Sequence, residues 1–244
     1  MPGIVLRADT AAELSARLAE LDISVPARSE GRQTCHTERY CIAHLLATLP
    51  IERLSFPLIL THTDRPDFHL EMPCADVGIE HTEAVPQNVA HADFLRGKEG
   101  SAPRVYFIPR ALPGESRKGA EELRREIMAD EPGSGWKGDA PEREWAEAMA
   151  YYVKEKMLKA TADGFVRYQA NWLIVYNNWP LPAIDRAKAG AYLVPFLAQM
   201  CAFSVFDAVF VHDESHVCEF REAPVIHAVI HAVVKPGFGL HTVL

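Results

Sequence analysis

The amino-acid sequence predicts an α/β fold, and three observations indicate this class. Residues 171–177 form a continuous apolar run bounded by polar residues and a proline, which is typical of a strand buried on both faces. Residues 68–72 alternate between apolar and polar side chains, the period of a half-buried strand. Residues 141–160 place apolar side chains on one side at helical spacing. Strands and helices are therefore expected in one chain.

Length and composition are those of a globular protein. A chain of 244 residues and 27.2 kDa, 48% hydrophobic and 24% charged, predicts one domain, residues 1–244, that buries a core. The net charge of −8 argues against a protein that coats nucleic acid, because nonspecific binding requires Lys and Arg to neutralise phosphates.

Compartment is indicated by the cysteines and by the absence of long apolar runs. The five cysteines are scattered without CxxC spacing, so neither a disulfide framework nor a zinc ribbon is predicted. No apolar run approaches the roughly 18 residues that a membrane span needs, and the first residues lack a signal-peptide layout. We expect a cytoplasmic protein with no membrane partner.

Helices are predicted from capping residues and apolar spacing, in chain order. Thr10 and Glu13 form a capping-box pattern before a first helix. Pro50 ends the second helix, whose apolar stripe includes Ile42 and Leu45. The predicted helices are residues 11–22, 34–49, 84–96, 141–160 and 184–200.

Strands are predicted from alternation and from apolar runs between turn residues. Residues 56–61 precede a hairpin made of residues 68–72 and 77–82, which gives a helix followed by a three-strand meander. The further predicted strands are residues 104–109, 171–177, 206–212, 217–219 and, as a strand or a short helix, 225–234.

Two carboxylates meet at this hairpin. Asp67 follows Pro66 at the start of the first strand, and Glu80 lies within the second. Because side chains alternate across a strand, Glu80 and Thr82 face one way while Ile79 faces the other. Two acids converging at one edge of a sheet suit a hard cation such as Mg²⁺ or Mn²⁺. An exposed hairpin with ordinary surface acids fits the same pattern.

The same stretch resembles the PD-(D/E)xK nuclease superfamily. Pro66-Asp67 and the later Glu80-His81-Thr82 fit the pattern of a Pro-Asp, then an acid, one residue and a lysine on the next strand. Thr82 occupies the usual lysine position, so the chain is a divergent match. The resemblance implies a restriction-endonuclease-like mixed central sheet flanked by helices, with residues 1–33 as an N-terminal extension and residues 96–140 as an insertion.

The resemblance also implies a site and a reaction. Asp67, Glu80 and the backbone carbonyl of His81 would hold Mg²⁺ or Mn²⁺, and the reaction would be metal-dependent hydrolysis of a phosphodiester in nucleic acid. A lysine would orient the water, and the helix at residues 141–160 offers Lys156 for the role that Thr82 cannot fill. Glu38, on the second predicted helix, would be aimed at the metal. The oligomeric state stays open, a homodimer included.

Each of these residues also has a plainer interpretation. Glu38 is favoured in a first helical turn by the helix dipole, and Lys156 can extend its ammonium group to solvent. Eight basic residues between Arg96 and Arg125 either form a solvated face balanced by glutamates or gather on one surface that contacts phosphates.

Other functions remain open from sequence. The threonine at position 82 and the net negative charge suit a catalytically inactive regulatory or protein-binding domain with the same fold. A site too narrow for a nucleic-acid strand would suit a hydrolase of small phosphorylated molecules. None of the eleven histidines stands in a known zinc spacing, and no nucleotide-binding glycine loop or GxSxG sequence is present.

Overall fold

A computed structural model describes residues 3–100, 111–221 and 223–230, and in it eight strands form one mixed sheet with helices on both faces. The predicted α/β class is confirmed. The strands are β1 (Gly3–Ala8), β2 (Leu58–His62), β3 (Phe68–Met72), β4 (Ala75–Ala84), β5 (Ala170–Asn177), β6 (Ala208–His212), β7 (His216–Phe220) and β8 (Val225–Ala228). The helices are α1 (Ala11–Glu20), α2 (Thr34–Thr48), α3 (Gln87–Glu99), α4 (Ala120–Ala129), α5 (Ala140–Ala160) and α6 (Arg186–Gln199).

The strands lie in the sheet in the order in which they occur in the chain. β1 to β4 pair antiparallel, β5 and β6 continue parallel to β4, and β7 and β8 return antiparallel. Helices α3 to α5 lie between β4 and β5 in the chain, and α6 lies between β5 and β6. The three parallel strands are therefore central, as expected for strands whose two faces are both covered.

Alternation along the strands sends their side chains into two hydrophobic clusters, one on each face. Val77 and Ile79 of β4 pack with residues of α1 and α2. Leu173 and Val175 of β5 pack with residues of α5 and α6 on the opposite face. Glu80, which pairs in register with Leu173, belongs to the α5 face. The sheet thus separates the two helices that the sequence linked to the site.

Several predicted boundaries shift, and one strand was missed. β4 runs from Ala75 to Ala84, longer than predicted, because its parallel pairing with β5 continues to Asn177. β1, inside the predicted N-terminal extension, pairs with β2 and forms the edge of the sheet. The strand predicted at residues 104–109 lies outside the described residues, and of residues 225–234 the described part begins with strand β8.

Within the described ranges, no helix combines the length and the apolar character that crossing a membrane would require.

Candidate functional site

The β3–β4 hairpin places the two predicted acids side by side. Asp67 directly precedes β3, and Glu80 lies in the second half of β4. The backbone N–H of His81 donates a hydrogen bond of 2.7 Å to Oδ2 of Asp67, which ties the residue before β3 to β4. The predicted convergence of Asp67 and Glu80 is therefore formed by local strand pairing.

Gly78 allows the chain to close over this part of the hairpin. A Cβ atom at Gly78 would lie 2.7 Å from a ring carbon of Tyr168 and 3.0 Å from Cγ of Pro66. Both distances are too short for ordinary contact, so any side chain at this position would push Pro66 and Tyr168 away. Because Pro66 precedes Asp67, the absence of a side chain at Gly78 helps to hold that carboxylate against β4.

Lys156 reaches the acid pair from α5. Its Nζ lies 2.5 Å from Oε1 of Glu80 and 4.0 Å from Oδ2 of Asp67. The lysine side chain is 13% exposed, and those of Glu80 and Asp67 are 9% and 18% exposed. The ammonium group therefore does not extend to solvent. It is held against both carboxylates on the α5 face of the sheet.

The electrostatics of the pair favour a proton or a cation at Asp67. Burial and then the nearby charge of Glu80 raise the pKa of Asp67 from 3.8 to about 7, although Lys156 and the His81 N–H act in the opposite direction. One ammonium group thus compensates two buried carboxylates incompletely. A divalent cation would supply the missing positive charge.

The oxygen atoms available at the pair fit Mg²⁺ or Mn²⁺ in part. Oε2 of Glu80 is buried and accepts no hydrogen bond from the described residues, so it is a free ligand atom. No group of three His, Cys, Asp or Glu side chains in the described ranges could hold a metal ion. Mg²⁺ commonly binds proteins through one or two carboxylates and keeps several water molecules, so Asp67 and Glu80 would be its two side-chain ligands.

Glu38 and the ring of His81 lie on the other face. Oε2 of Glu38 is 3.0 Å from Nε2 of His62, and Glu38 has only a minor electrostatic influence on Asp67. Burial, followed by the charge of Lys156, lowers the pKa of His81 to about 3, which keeps its ring neutral. The structure brings Asp67, Glu80 and Lys156 into contact and places Glu38 with His62 instead. The metal-binding role of the His81 carbonyl stays a prediction.

A cavity of about 390 Å³ lies beside Lys156 and was not foreseen from the sequence. Thr82, two residues after Glu80 on the same face, lines it. Its aromatic and basic lining residues are Tyr151, Tyr152, Lys156, Lys159 and Trp179. Tyr152, Lys156 and Lys159 follow one another at spacings of four and three, so helical periodicity alone was the signal that could have grouped them.

Three of the six described basic residues between Arg96 and Arg125 pair with acids. Arg96 contacts Asp93, Lys118 contacts Glu126, and Arg124 contacts Glu99 and Glu121. These contacts favour the balanced, solvated face over a phosphate-binding surface.

Comparisons of the chain with protein-family models, with curated proteins and with solved structures give no match. The assignment of this site therefore rests on its geometry and on the short sequence pattern.

Proposed function

We propose that this protein is a metal-dependent nuclease that hydrolyses phosphodiester bonds at the site of Asp67, Glu80 and Lys156. The observation that carries the proposal is the position of Lys156, whose ammonium group contacts Glu80 and approaches Asp67. An active relative of the PD-(D/E)xK nucleases needs a positive charge at the acid pair, and Thr82 cannot provide one. Lys156 provides it from α5 rather than from the strand.

Each side chain has a definite task in the proposed reaction. Asp67 and Glu80 would hold the cation, which when bound would supply an activated water molecule and positive charge near the phosphate. Lys156 orients the attacking water and places its own charge beside the scissile group. Water adds to phosphorus as one ester bond breaks, so that the products are a phosphate monoester and a free hydroxyl terminus.

The charge distribution supports recognition at the site rather than along a broad basic surface. The net charge is −8, and the arginines and lysine described above already pair with acids. Contacts with phosphates outside the site are therefore expected to be few.

Binding of Mn²⁺ and Mg²⁺ by calorimetry, followed by cleavage assays on single-stranded and double-stranded DNA and RNA, tests the proposal. Asp67→Asn and Glu80→Gln remove ligand charge with little change of shape, so each should abolish cleavage and weaken cation binding at least tenfold. Glu71→Gln, at an exposed carboxylate on β3, is the matched control and should behave like the natural protein.

The opposite result points to the alternative function. If the natural protein binds neither cation at millimolar concentration and neutral pH, the nuclease proposal is wrong. The chain would then be an inactive nuclease-like domain in which Lys156 only compensates buried acids.

A further inference from the structure

The cavity beside Lys156 has a size and a lining that the proposed reaction does not by itself require. Its volume of about 390 Å³ lies within the usual range for small-ligand pockets, roughly 300–1,000 Å³. Lys156 and Thr82 form its boundary with the acid pair. A group bound in the cavity would therefore be adjacent to a phosphate held at Lys156.

Aromatic rings dominate one wall of the cavity. The rings of Tyr151 and Tyr152 lie edge to face with their centroids 5.3 Å apart. The rings of Tyr152 and Trp179 are arranged in the same way, with centroids 6.2 Å apart. The hydroxyl group of Tyr152 donates a hydrogen bond of 2.6 Å to the carbonyl oxygen of Val85, which fixes that ring. Tyr151 is half-buried and has no such hydrogen bond among the described contacts.

Gly114 lies next to the Tyr151 ring. Its φ angle is +73°, and an added Cβ would lie 3.2 Å from the ring. The backbone of Gly114 therefore packs directly against Tyr151. A ring fixed in this way at a pocket wall is a platform for a planar ligand.

Two of the three acidic side chains of the lining, Glu83 and Glu115, accept hydrogen bonds. Oε1 of Glu83 accepts hydrogen bonds from Arg28, Arg32 and Asn178 at 2.5, 2.8 and 2.6 Å. Oε1 of Glu115 accepts one of 2.9 Å from Asn88.

Lys159 and Glu155, both exposed, complete the charged part of the rim. Since these two charges are opposite, this pair adds no net charge to the rim.

We propose that this cavity binds one unpaired nucleobase of the substrate, stacked on Tyr151, next to the phosphate that is cleaved. The inference rests on the proposed function and specifies its substrate class. A base within a duplex cannot enter a pocket of this size unless it leaves its stack, so single strands and unpaired ends are the substrates. Thr82 contributes by being short, because a lysine at that position would extend toward the space that the base occupies.

The test separates base binding from cleavage by using a nucleoside that has no phosphate. Binding of 2-aminopurine riboside is measured by its fluorescence with EDTA present, for the natural protein, Tyr151→Leu and Tyr151→Phe. Loss of the ring should weaken binding about tenfold or more, since stacking of a base on an aromatic side chain is lost. Tyr151→Phe should bind normally, and Tyr151→Leu retains apolar bulk against Gly114.

Cleavage of matched single-stranded and duplex oligonucleotides completes the test. The natural protein should prefer the single strand, and Tyr151→Leu should raise KM for it more than it lowers kcat. Lys154→Ala, at an exposed position on the same helix, is the control and should change neither constant.

The outcomes distinguish the two proposals. If the natural protein cleaves oligonucleotides but binds the nucleoside no more tightly than Tyr151→Leu does, the base-pocket proposal is wrong and the nuclease proposal stands. Nucleoside binding that depends on Tyr151, without cleavage of any polymer, supports the pocket and overturns the nuclease. Binding of ribose 5-phosphate as tight as that of a nucleoside monophosphate overturns base recognition and favours a hydrolase of small phosphorylated molecules.

Discussion

The carboxyl group of Asp67 changes its protonation near neutral pH, and this property follows from its surroundings. Burial and the charge of Glu80 oppose its ionisation, so its pKa lies at about 7 instead of 3.8. Such a site is costly to the folded protein because two carboxylates share one ammonium group. Local instability of this kind is common where a protein prepares a charged site for a ligand.

Asp67→Asn should stabilise the protein more at pH 8 than at pH 5. Between the unfolded pKa of 3.8 and the folded pKa of about 7, the folded natural protein holds a proton that the unfolded chain has released. Its unfolding free energy therefore falls as pH rises through this window and stays low above it, whereas an amide does not titrate. The stability difference should grow by about 1 to 3 kcal/mol from pH 5 to pH 8.

Urea denaturation at the two pH values, with EDTA present, measures this difference. Glu71→Gln, on the exposed side of β3, provides the baseline for loss of an ordinary carboxylate. An Asp67→Asn effect that is the same at both pH values would show that Asp67 ionises normally in the folded protein.

Single residues were predicted from sequence where the local pattern was unusual. A glutamate inside a strand and a lysine inside an apolar helical stripe led to Glu80 and Lys156, and the structure places them 2.5 Å apart. Glu38 was also on an apolar stripe, but its carboxylate bonds to His62. Its helix covers the opposite face of the sheet, and the face on which a helix packs is not encoded in its own periodicity.

At the scale of elements, α5 carries most of the site. It provides Lys156 to the acid pair and Tyr151, Tyr152 and Lys159 to the cavity, while β4 provides Glu80 and Thr82. Its apolar stripe predicted the helix well because the pattern extends over many turns. β1 was missed because it is a short edge strand whose burial is irregular, and the pairing with β2 that forms it comes from a distant part of the chain.

Moving the lysine from α5 to β4 should preserve part of the activity. Lys156→Ala should reduce kcat about 100-fold or more, because a charge that stabilises the transition state is removed. Thr82→Lys in the same chain should restore kcat at least tenfold, since residue 82 borders the same cavity as residue 156. KM of this double variant for a single strand should rise, because the lysine extends toward the space that the base occupies.

The reaction rate with Mn²⁺ and the affinity for Mn²⁺ check this prediction together. The affinity of Lys156→Ala for the cation should stay equal or increase. The variant lacks the lysine's positive charge, which repels the cation from Asp67 and Glu80. Full activity of Lys156→Ala would mean that the lysine serves only to neutralise the buried acids, and Lys154→Ala controls for loss of any lysine from this helix.

At the scale of the whole molecule, the sheet contains strand pairs that are close in the sequence and strand pairs that are far apart in it. β2, β3 and β4 are consecutive antiparallel strands, so the contacts that bring Asp67 to Glu80 are local in the chain. β4 pairs in parallel with β5 only after the segment containing α3, α4 and α5 has crossed the sheet. Sequence patterns predicted the strands on both sides of this connection, but the missed β1 shows that patterns within one segment do not reveal its distant partners.

This arrangement gives the folding reaction an expected order. Local hairpins close early because their loops are short, whereas parallel pairing across a long connection is slow. Pulse-labelling hydrogen exchange during refolding should therefore protect amides of β3 and β4 within their hairpin before those of β5. Simultaneous protection of all three strands would contradict this order. In this order of events, Asp67 and Glu80 first lie next to each other in water. They become buried only when α5, within the connection between β4 and β5, places Lys156 beside them.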